Sequence, residues 1–261
     1  MSGRNKKGRE IDGVVLLDKS VGNTSNHSLQ RVKRLFEAKK AGHTGSLDPL
    51  ASGLLPICFG QATKVAQYLL DGDKRYFVVA KLGQISSTGD IEGDIESFGS
   101  TNNIDKTSIR AILTQFVGEI DQIPPMYSAL KRNGIPLYKL ARKGIEVERE
   151  SRAVTIHKIN MLGYTEEMLS LDVCCSKGTY IRTLVEDIGK ALGCGGHVIE
   201  LRRTGFAHFD IVESRTYEQL LELKKESMES LDSVLLGAHD MLLGIESLYL
   251  DAKQTANIML G

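Results

Sequence analysis

The chain has 261 residues, of which 41% are apolar and 25% charged, and its formal net charge is zero at pH 7. These values are ordinary for a soluble globular protein, and the length allows one or two domains. No apolar run approaches the ~18 residues of a membrane span, and the charged N-terminus MSGRNKKGRE lacks the apolar core of a signal peptide, so no membrane association is expected.

In the first half of the chain, the spacing of apolar residues predicts strands and helices that follow no regular repeat. The predicted elements are a strand at 13–19, a helix at 26–37 with Thr24 or Ser25 as its N-cap, a strand at 54–59, a helix at 63–70, a strand at 74–82 and a helix at 106–116. The polar, Gly-rich segment 84–101 predicts a hairpin loop or a partly mobile segment.

The second half continues the same mixture of elements. The predicted elements are a short basic helix at 135–143, paired strands at 153–162 and 168–175, a helix at 180–192, a strand at 198–209 with another around Ile211, and helices at 217–225 and 228–236. Because no strand–helix–strand repeat recurs, we expect an α+β fold and not a doubly wound sheet.

The four cysteines (Cys58, Cys174, Cys175 and Cys194) show no paired CxxC spacing. The adjacent Cys174 and Cys175 would face opposite sides of a strand. This pattern argues against a disulfide framework and a zinc site, and it predicts reduced thiols and a cytoplasmic location.

The zero net charge hides an uneven distribution along the chain. Residues 213–261 carry a net charge of −5, so residues 1–212 carry +5. The basic side chains form three clusters, which are Arg4, Lys6, Lys7 and Arg9; Arg31, Lys33, Arg34, Lys39 and Lys40; and Lys131, Arg132, Lys139, Arg142 and Lys143. Such clusters can follow the phosphates of a nucleic acid, although each one alone is more often a solvated helix face.

The most informative segment is Ala41–Gly60, AGHTGSLDPLASGLLPICFG, which places Asp48 in a Gly- and Pro-rich turn before an apolar run. Its glycines allow sharp bends and the close approach of another molecule, and Pro49 biases Asp48 away from the helical conformation. An accessible acid on a rigid turn is well placed for chemistry. The structural alternative is an Asp that caps a helix or closes an Asx-turn. A nucleotide-binding loop is excluded because no Gly-Lys-Ser/Thr follows.

The stretch GHTGSLDPLASGLLP resembles the catalytic motif of the TruB-type tRNA pseudouridine synthases. Five further segments resemble the same family in the expected order, and together they span residues 10–215: GVVLLDKSVGNTS, DKRYFVVAKLG, IPPMYSALKRNGIPLYKLARKGIEVERE, CSKGTYIRTLVEDIGKALG and HVIELRRTGF. The resemblance implies an enzyme that isomerises uridine 55 in the T-loop of tRNA.

The resemblance also implies a domain organisation. We expect an α+β fold with a mixed, largely antiparallel central sheet that is flanked by helices and crossed by the active-site cleft. The catalytic domain would comprise residues 1–247, in which residues 131–150 form a thumb-like insertion that closes on RNA. Members of this type usually add a small C-terminal PUA-like β-domain, and residues 248–261 could hold only the start of one.

Pseudouridine formation breaks the bond between N1 of uracil and C1′, turns the base, and joins its C5 to C1′. It is an isomerisation, so we expect no cofactor and no metal. A carboxylate can stabilise oxocarbenium character at C1′, add covalently to the sugar, or take the C2′ proton to give a glycal. One acid suffices for each route, whereas a glycosidase needs a second carboxylate.

The resemblance assigns three catalytic residues, Asp48, Arg182 and Tyr76. Arg182, in KGTYIRTL, corresponds to the family's arginine that pairs with the catalytic acid, and such a cation keeps a carboxylate ionised and oriented. Tyr76, in DKRYFVVAKLG, corresponds to the tyrosine that stacks on the uracil once it has been extracted from the T-loop. Its hydroxyl is a candidate for moving the C5 proton.

Further substrate contacts are implied at Tyr180, Leu201, His43 and Lys19, besides Tyr76. By analogy, His43 stacks with a displaced base, and Lys19 either contacts phosphate or supports the site. The structural alternative for Tyr180 and Leu201 is core packing. For His43 it is a loop histidine whose hydrogen bonds are made within the protein, and for Lys19 it is a side chain that extends from a strand end to solvent.

The expected partner is tRNA, bound through its T-arm stem-loop by a monomer. Two other classes stay open, an RNA chaperone and a nucleoside or sugar hydrolase. The joint presence of Asp48, Tyr76 and Arg182 favours the enzyme over a chaperone, because RNA binding alone needs no acid beside phosphates. The basic clusters and the lack of a second paired acid argue against a hydrolase.

Overall fold

The computed structural model describes residues 8–242 and 248–260. The strands are β1 (Gly13–Lys19), β2 (Ala41–His43), β3 (Ser52–Phe59), β4 (Lys74–Leu82), β5 (Gln84–Ser86), β6 (Ile95–Ser97), β7 (Gly118–Gln122), β8 (Lys131–Arg132), β9 (Ile135–Pro136), β10 (Arg152–Thr165), β11 (Met168–Cys175), β12 (Gly196–Phe206), β13 (Phe209–Asp210) and β14 (Arg215–Thr216). The helices are α1 (Ser25–Leu35), α2 (Ala62–Leu70), α3 (Lys106–Gln115), α4 (Leu137–Ala141), α5 (Ile181–Ala191), α6 (Tyr217–Glu226), α7 (Met228–Asp232) and α8 (Ala252–Leu260).

Ten strands form one sheet in the order β14-β1-β3-β12-β4-β11-β10-β7, with β2 added to β3 and β13 added to β12. Within the described part of the chain, the parallel contacts in this sheet are those of β1 with β14 and of β3 with β12. The remaining pairs are antiparallel, as are the separate hairpins β5–β6 and β8–β9. The predicted α+β fold with a mixed, largely antiparallel sheet is therefore confirmed.

The sheet buries apolar side chains on both of its faces. Along β1, Val15 and Leu17 join the larger hydrophobic core, whereas Val14 and Leu16 join a smaller one, as the alternation of side chains on a strand requires. The larger core takes side chains from α1, α3, α5, α6 and α7, and the smaller core takes them from α2. The helices thus cover both faces of the sheet beside β1 and β3.

Several predicted elements recur in the structure with their expected bounds. The strands predicted at 13–19 and 74–82 are β1 and β4, and the strands predicted to pair are β10 and β11. The Thr24 side chain accepts a hydrogen bond from the backbone N–H of His27 at 3.1 Å, so Thr24 caps α1. The polar segment 84–101 contains the hairpin β5–β6.

Other predictions of secondary structure were wrong. Instead of forming a strand, Ile211 begins a 3-10 turn, because the Asp210 carboxylate accepts from the N–H of Val212 and caps it. The strand predicted at 198–209 ends at Phe206, where Ala207 adopts a positive φ of 52° and turns the chain into β13. The helix predicted at 228–236 ends at Asp232.

The helix predicted at 135–143 is shorter than expected. It is α4, and the hairpin β8–β9 precedes it. Asn133 and Gly134 link the two strands with φ of 50° and 79°, the conformation that Asn-Gly favours in tight hairpin turns.

The ends of the chain leave two predictions open. The described residues 248–260 contain α8, and none of them lies in a strand, so their assignment to the start of a PUA-like domain stays a prediction. Arg4, Lys6 and Lys7 of the first basic cluster lie outside the described residues. Across residues 8–242 and 248–260, every helix is too short or too polar to cross a membrane.

The acidic segment that follows residue 212 packs against the N-terminal half of the chain. Asp232 pairs with Arg9, and Lys224 pairs with Glu37 at 2.7 Å. The guanidinium of Arg31 lies 3.7 Å from the ring centroid of Tyr217. The Arg9–Asp232 pair therefore neutralises one basic side chain of the N-terminal half with an acid of the C-terminal segment, whereas the Tyr217 ring leaves the charge of Arg31 in place.

Glycine at position 53 is required by the parallel contact of β3 with β12. Its φ is 102°, and a Cβ there would lie 2.3 Å from the carbonyl oxygen of Arg203. We expect Gly53→Ala to lower the free energy of unfolding by about 1–3 kcal/mol, measured by urea denaturation. The control is Gly163→Ala in β10, where an added Cβ has no neighbour within 4 Å. Equal effects of the two substitutions would contradict the prediction.

Candidate active site

The loop that carries Asp48, residues 44–51 between β2 and β3, is fastened to the start of α1. The buried hydroxyl of Ser25 accepts from the N–H of Leu47 at 2.7 Å and donates to the Leu47 carbonyl at 3.0 Å. Leu47 and Leu50 are buried, whereas the side chain of Asp48 is 45% exposed. The apolar neighbours of Asp48 therefore fix the loop to the core while its carboxyl group stays accessible.

Arg182, at the start of α5, lies beside that carboxyl group. Its side chain is 5% exposed, and its Nη2 is 2.9 Å from Oδ2 of Asp48. The guanidinium also donates to the carbonyl oxygens of Thr88 at 2.9 Å and of Tyr127 at 2.7 Å. Three other chain segments thus converge on this cation, and its orientation towards Asp48 is fixed.

A second carboxylate, Asp90, contacts the same guanidinium and was not predicted from the sequence. Its Oδ2 is 3.4 Å from Nη1 of Arg182, and its side chain is 4% exposed. Its Oδ1 accepts from the hydroxyl of Thr88 at 2.6 Å and from the N–H of Glu92 at 3.0 Å. A single Asp in a polar segment gives no signal in one sequence, because only the fold reveals its partner.

The acidity of Asp48 reflects competing neighbours. Burial raises its pKa above the usual value, and the charge of Asp90 adds to that increase. The Arg182 guanidinium and the Lys19 ammonium lower the pKa, but burial prevails and the net direction is upward. Arg182 is therefore the main group that favours the ionised form of Asp48.

A cavity of about 180 Å³ opens beside Asp48. Its lining residues are Ser46, Leu47, Asp48, Tyr76, Tyr127, Ser128, Ala129, Thr179, Tyr180, Ile181, Arg182 and Leu201. Five of the seven predicted site residues, Asp48, Tyr76, Tyr180, Arg182 and Leu201, meet there. A carboxylate, a guanidinium and aromatic rings around one opening can hold a planar base next to a sugar.

Strand pairing brings the aromatic and apolar members of the site together. Tyr76 of β4 lies opposite Arg203 of β12, and Val78 lies opposite Leu201. Because side chains alternate along a strand, Tyr76, Leu201 and Arg203 share one face of the sheet. Tyr180 is placed by Gln122 of β7, whose side-chain amide accepts from the Tyr180 N–H at 2.7 Å and donates to its carbonyl at 3.1 Å.

The other two predicted residues, His43 and Lys19, do not line this cavity. His43 lies on β2, its Nδ1 is buried without a hydrogen-bond partner, and burial lowers its pKa. Lys19 is 1% exposed and donates to the carbonyls of Ser20 at 2.9 Å and of Asn23 at 2.7 Å. These contacts favour site support over phosphate contact, and burial lowers the pKa of Lys19 to about 8.

Arg203, which is almost fully buried, was not predicted from the sequence either. A usable signal was present, since two adjacent arginines on a predicted strand must face opposite sides. One of the pair Arg202–Arg203 therefore had to point into the protein. Among the residues that the structure describes, no cluster of three or more His, Cys, Asp or Glu side chains is placed to hold a metal ion.

The sheet and its cleft place the chain in the pseudouridine synthase class of folds. A solved structure of a Cbf5-Nop10-Gar1 complex matches with a TM-score of 0.70 at 30% identity, covering 88% of this chain and 61% of that chain. An H/ACA RNP bound to a substrate RNA containing 2′-deoxyuridine matches with a TM-score of 0.67 at 26% identity, covering 92% and 67%.

The family follows from sequence comparison. The sequence model of the TruB family pseudouridylate synthase N-terminal domain matches residues 33–181, and that of the tRNA pseudouridylate synthase B C-terminal domain matches residues 182–243. The chain is 51% identical to tRNA pseudouridine synthase B of Haemophilus influenzae, over all of this chain and 84% of that protein. It is 52% identical to the protein of that name in Nitrosococcus oceani, over 92% and 78%. The chain belongs to the TruB family of pseudouridylate synthases.

Removal of the Arg182 charge tests the electrostatics of the site. We expect Arg182→Gln to raise the pKa of Asp48 further, because the principal cation that favours the carboxylate is lost. As the pH is lowered, Asp48 of the variant then becomes protonated at a higher pH than Asp48 of the unmodified protein. The measurement is a pH titration of the Asp48 carboxyl carbon by NMR. Arg202→Gln, which removes a guanidinium paired with Asp18 at 2.6 Å, is the control. A lowered or unchanged Asp48 pKa in Arg182→Gln would contradict the prediction.

Proposed function

We propose that this chain converts uridine 55 in the T-loop of tRNA to pseudouridine. The observation that carries the proposal is the half-exposed Asp48 carboxylate, held 2.9 Å from Arg182 at a cavity that Tyr76 also lines. Relatives about half identical to this chain are tRNA pseudouridine synthases, which supports tRNA as the RNA. The geometry meets a basic requirement of the proposal, because the acid is open to a ligand and not sealed in the core.

In the proposed reaction, the target nucleotide leaves the stack of the T-loop and enters the cavity. Tyr76 supplies a flat surface for uracil, and Leu201 and Tyr180 enclose the base. Asp48 acts at the sugar when the bond from N1 to C1′ breaks, either by adding to C1′ or by taking the C2′ proton. The base turns and C5 bonds to C1′, and this step breaks the bond from Asp48 to C1′ in the first route or is accompanied by return of the proton from Asp48 to C2′ in the second. C5 then loses its proton and N1 gains one, so the atoms balance without a second reactant.

Arg182 has two effects in this scheme. It favours the ionised form of Asp48, which both routes require, and it fixes the direction of the carboxylate through a charge-assisted hydrogen bond. Because burial raises the pKa of Asp48, turnover declines on the acid side at a pH above the ordinary aspartate pKa of about 3.9.

The proposed partner surface includes the thumb, residues 131–150. Its basic side chains Lys131, Arg132 and Lys143 are exposed, and the cluster could follow the phosphates of the T-arm. We further propose that residues 1–247 form the catalytic domain and that residues 248–261 begin a PUA-like domain. A monomeric state and a cytoplasmic location remain predictions.

Two other functions are weaker on physical grounds. An RNA chaperone needs basic surface but no carboxylate and guanidinium that line one cavity together with aromatic rings. A nucleoside or sugar hydrolase needs a second acid at the reacting sugar, and Asp48 is the acid that lines this cavity. Asp90 does not fill that role, because its side chain is only 4% exposed and does not line the cavity.

Asp48→Asn separates these functions. The amide keeps the shape of the side chain but cannot act as a nucleophile or base, so we expect tRNA binding to persist and pseudouridine formation to be lost. The measurement is incubation with an unmodified tRNA transcript, followed by mapping of pseudouridine at each position. Substantial turnover by the variant would falsify the role of Asp48, and modification elsewhere than position 55 would contradict the proposed target.

The thumb is expected to order when RNA binds. Amide hydrogen exchange of residues 131–150, measured with and without a T-arm stem-loop, should slow on binding. Residues 153–165 of β10 lie in the sheet and serve as an internal control, since their exchange should already be slow. Unchanged exchange in the thumb at saturating RNA counts against its role.

A further inference from the structure

Arg203 is a buried cation without an acidic partner. It is 1% exposed, and none of the described carboxylates lies within ion-pair distance of it. Burial of an unpaired charge is costly unless other polar groups replace water around it. The residues that surround Arg203 therefore indicate what the charge is used for.

The guanidinium of Arg203 holds both sides of the Asp48 loop. Its Nε donates to the carbonyl of Leu54 at 2.7 Å, and its Nη2 donates to the carbonyl of Gly45 at 2.8 Å. Gly45 precedes Asp48 by three residues, and Leu54 follows it by six. One rigid, planar group thus connects the segment that leads into Asp48 with β3, the strand that follows the loop.

The same guanidinium lies beside the proposed stacking residue. Arg203 is the cross-strand neighbour of Tyr76, and its charge counteracts the increase in the Tyr76 pKa that burial causes. The other titratable groups around the Tyr76 hydroxyl are Asp48 and the thiol of Cys175, and both raise its pKa. Arg203 is the cation that opposes them.

Packing fixes the guanidinium in this place. The centre of the Arg203 guanidinium is 4.7 Å from the centroid of the Phe206 ring. A Cβ at Gly45 would lie 2.5 Å from that ring and 3.3 Å from Nη1 of Arg203. The loop, the arginine and the ring are therefore in close contact, and a small displacement of Arg203 is transmitted to the Asp48 loop.

We propose that Arg203 is a positioning residue for the reaction. It ties the Asp48 loop to β12, the strand that pairs with β4 at Tyr76, and so fixes the Asp48 carboxylate relative to Tyr76. Arg203 itself does not line the cavity and acts through these two groups. The proposal rests on the proposed function, since it assumes that Asp48 and Tyr76 act on one substrate. A misplacement of about 1 Å can lower turnover on the order of 10²-fold.

The test compares three variants at a temperature where each is folded. Arg203→Gln removes the charge, Arg203→Lys keeps the charge but not the planar fork, and Arg202→Gln is the control from the opposite face of β12. We expect Arg203→Gln to lower kcat on the order of 10²-fold with a smaller change in KM for tRNA. We expect Arg203→Lys to lie between it and the unmodified enzyme, and Arg202→Gln to stay close to the latter.

Two readouts do not depend on turnover. With Tyr76 replaced by 3,5-difluorotyrosine, fluorine NMR should show a higher tyrosine pKa in Arg203→Gln than in Arg203→Lys, because only the latter keeps a cation. Amide exchange of residues 44–51 should be faster in Arg203→Gln than in Arg202→Gln.

Each result decides for or against the proposal. Turnover, loop exchange and tyrosine pKa in Arg203→Gln that match those of Arg202→Gln would overturn it. Failure of both Arg203 variants to fold at any temperature tested would also overturn it, since Arg203 would then be needed for the fold itself. If the unmodified enzyme forms no pseudouridine, the proposed function fails, whereas the fluorine and exchange readouts still decide the placement of Arg203.

Discussion

The contact between Asp48 and Arg182 is the constraint to which the rest of the site is adjusted. A carboxylate on a loop and a guanidinium at a helix start meet only if the loop is fixed by Ser25, and the helix start by Gln122. Asp90 contacts the same cation at Nη1, and its side chain is buried. Loss of one partner of a buried charge pair typically costs about 3–5 kcal/mol, so Arg182 contributes to the fold as well as to the proposed chemistry.

The parallel pairing of β3 with β12 also fixes the geometry of the site. It sets the strand that follows the Asp48 loop beside the strand that carries Leu201 and Arg203. Gly53 makes the close approach possible, because any side chain there would overlap the backbone of Arg203. The antiparallel contact of β12 with β4 then brings Tyr76 to the same place. Two neighbouring strand pairs thus bring together residues that are far apart in the sequence.

Local patterns predicted most of the fold, and the failures have physical reasons. The buried run of β1 and the β-rich run of β4 gave correct strands, since burial and local preference agree there. The short strands β2 and β7 were missed because three to five residues show little periodicity. At Ile211, the capping carboxylate of Asp210 outweighed the apolar pattern and produced a turn.

In the candidate site, the residues that line the cavity were predicted, but most of the residues that hold them in place were not. The motif around Asp48 carried a strong signal, and the resemblance indicated the residues that line the cavity. Asp90, Gln122 and Arg203 were missed, since each is recognised only by its partner in space. The role of Lys19 stays a prediction, and its contacts with the carbonyls of Ser20 and Asn23 favour site support over phosphate contact, the two roles that the resemblance left open.

The ion pairs Arg9–Asp232 and Lys224–Glu37, which join the C-terminal segment to the N-terminal half, have a consequence for the dependence of RNA binding on salt. Cations already neutralised within the protein release no counterions when a polyanion binds. The logarithm of an RNA affinity should therefore vary with the logarithm of salt concentration less steeply than the number of lysines and arginines indicates. That slope would report the number of RNA phosphates that the protein's unpaired cations contact in the complex.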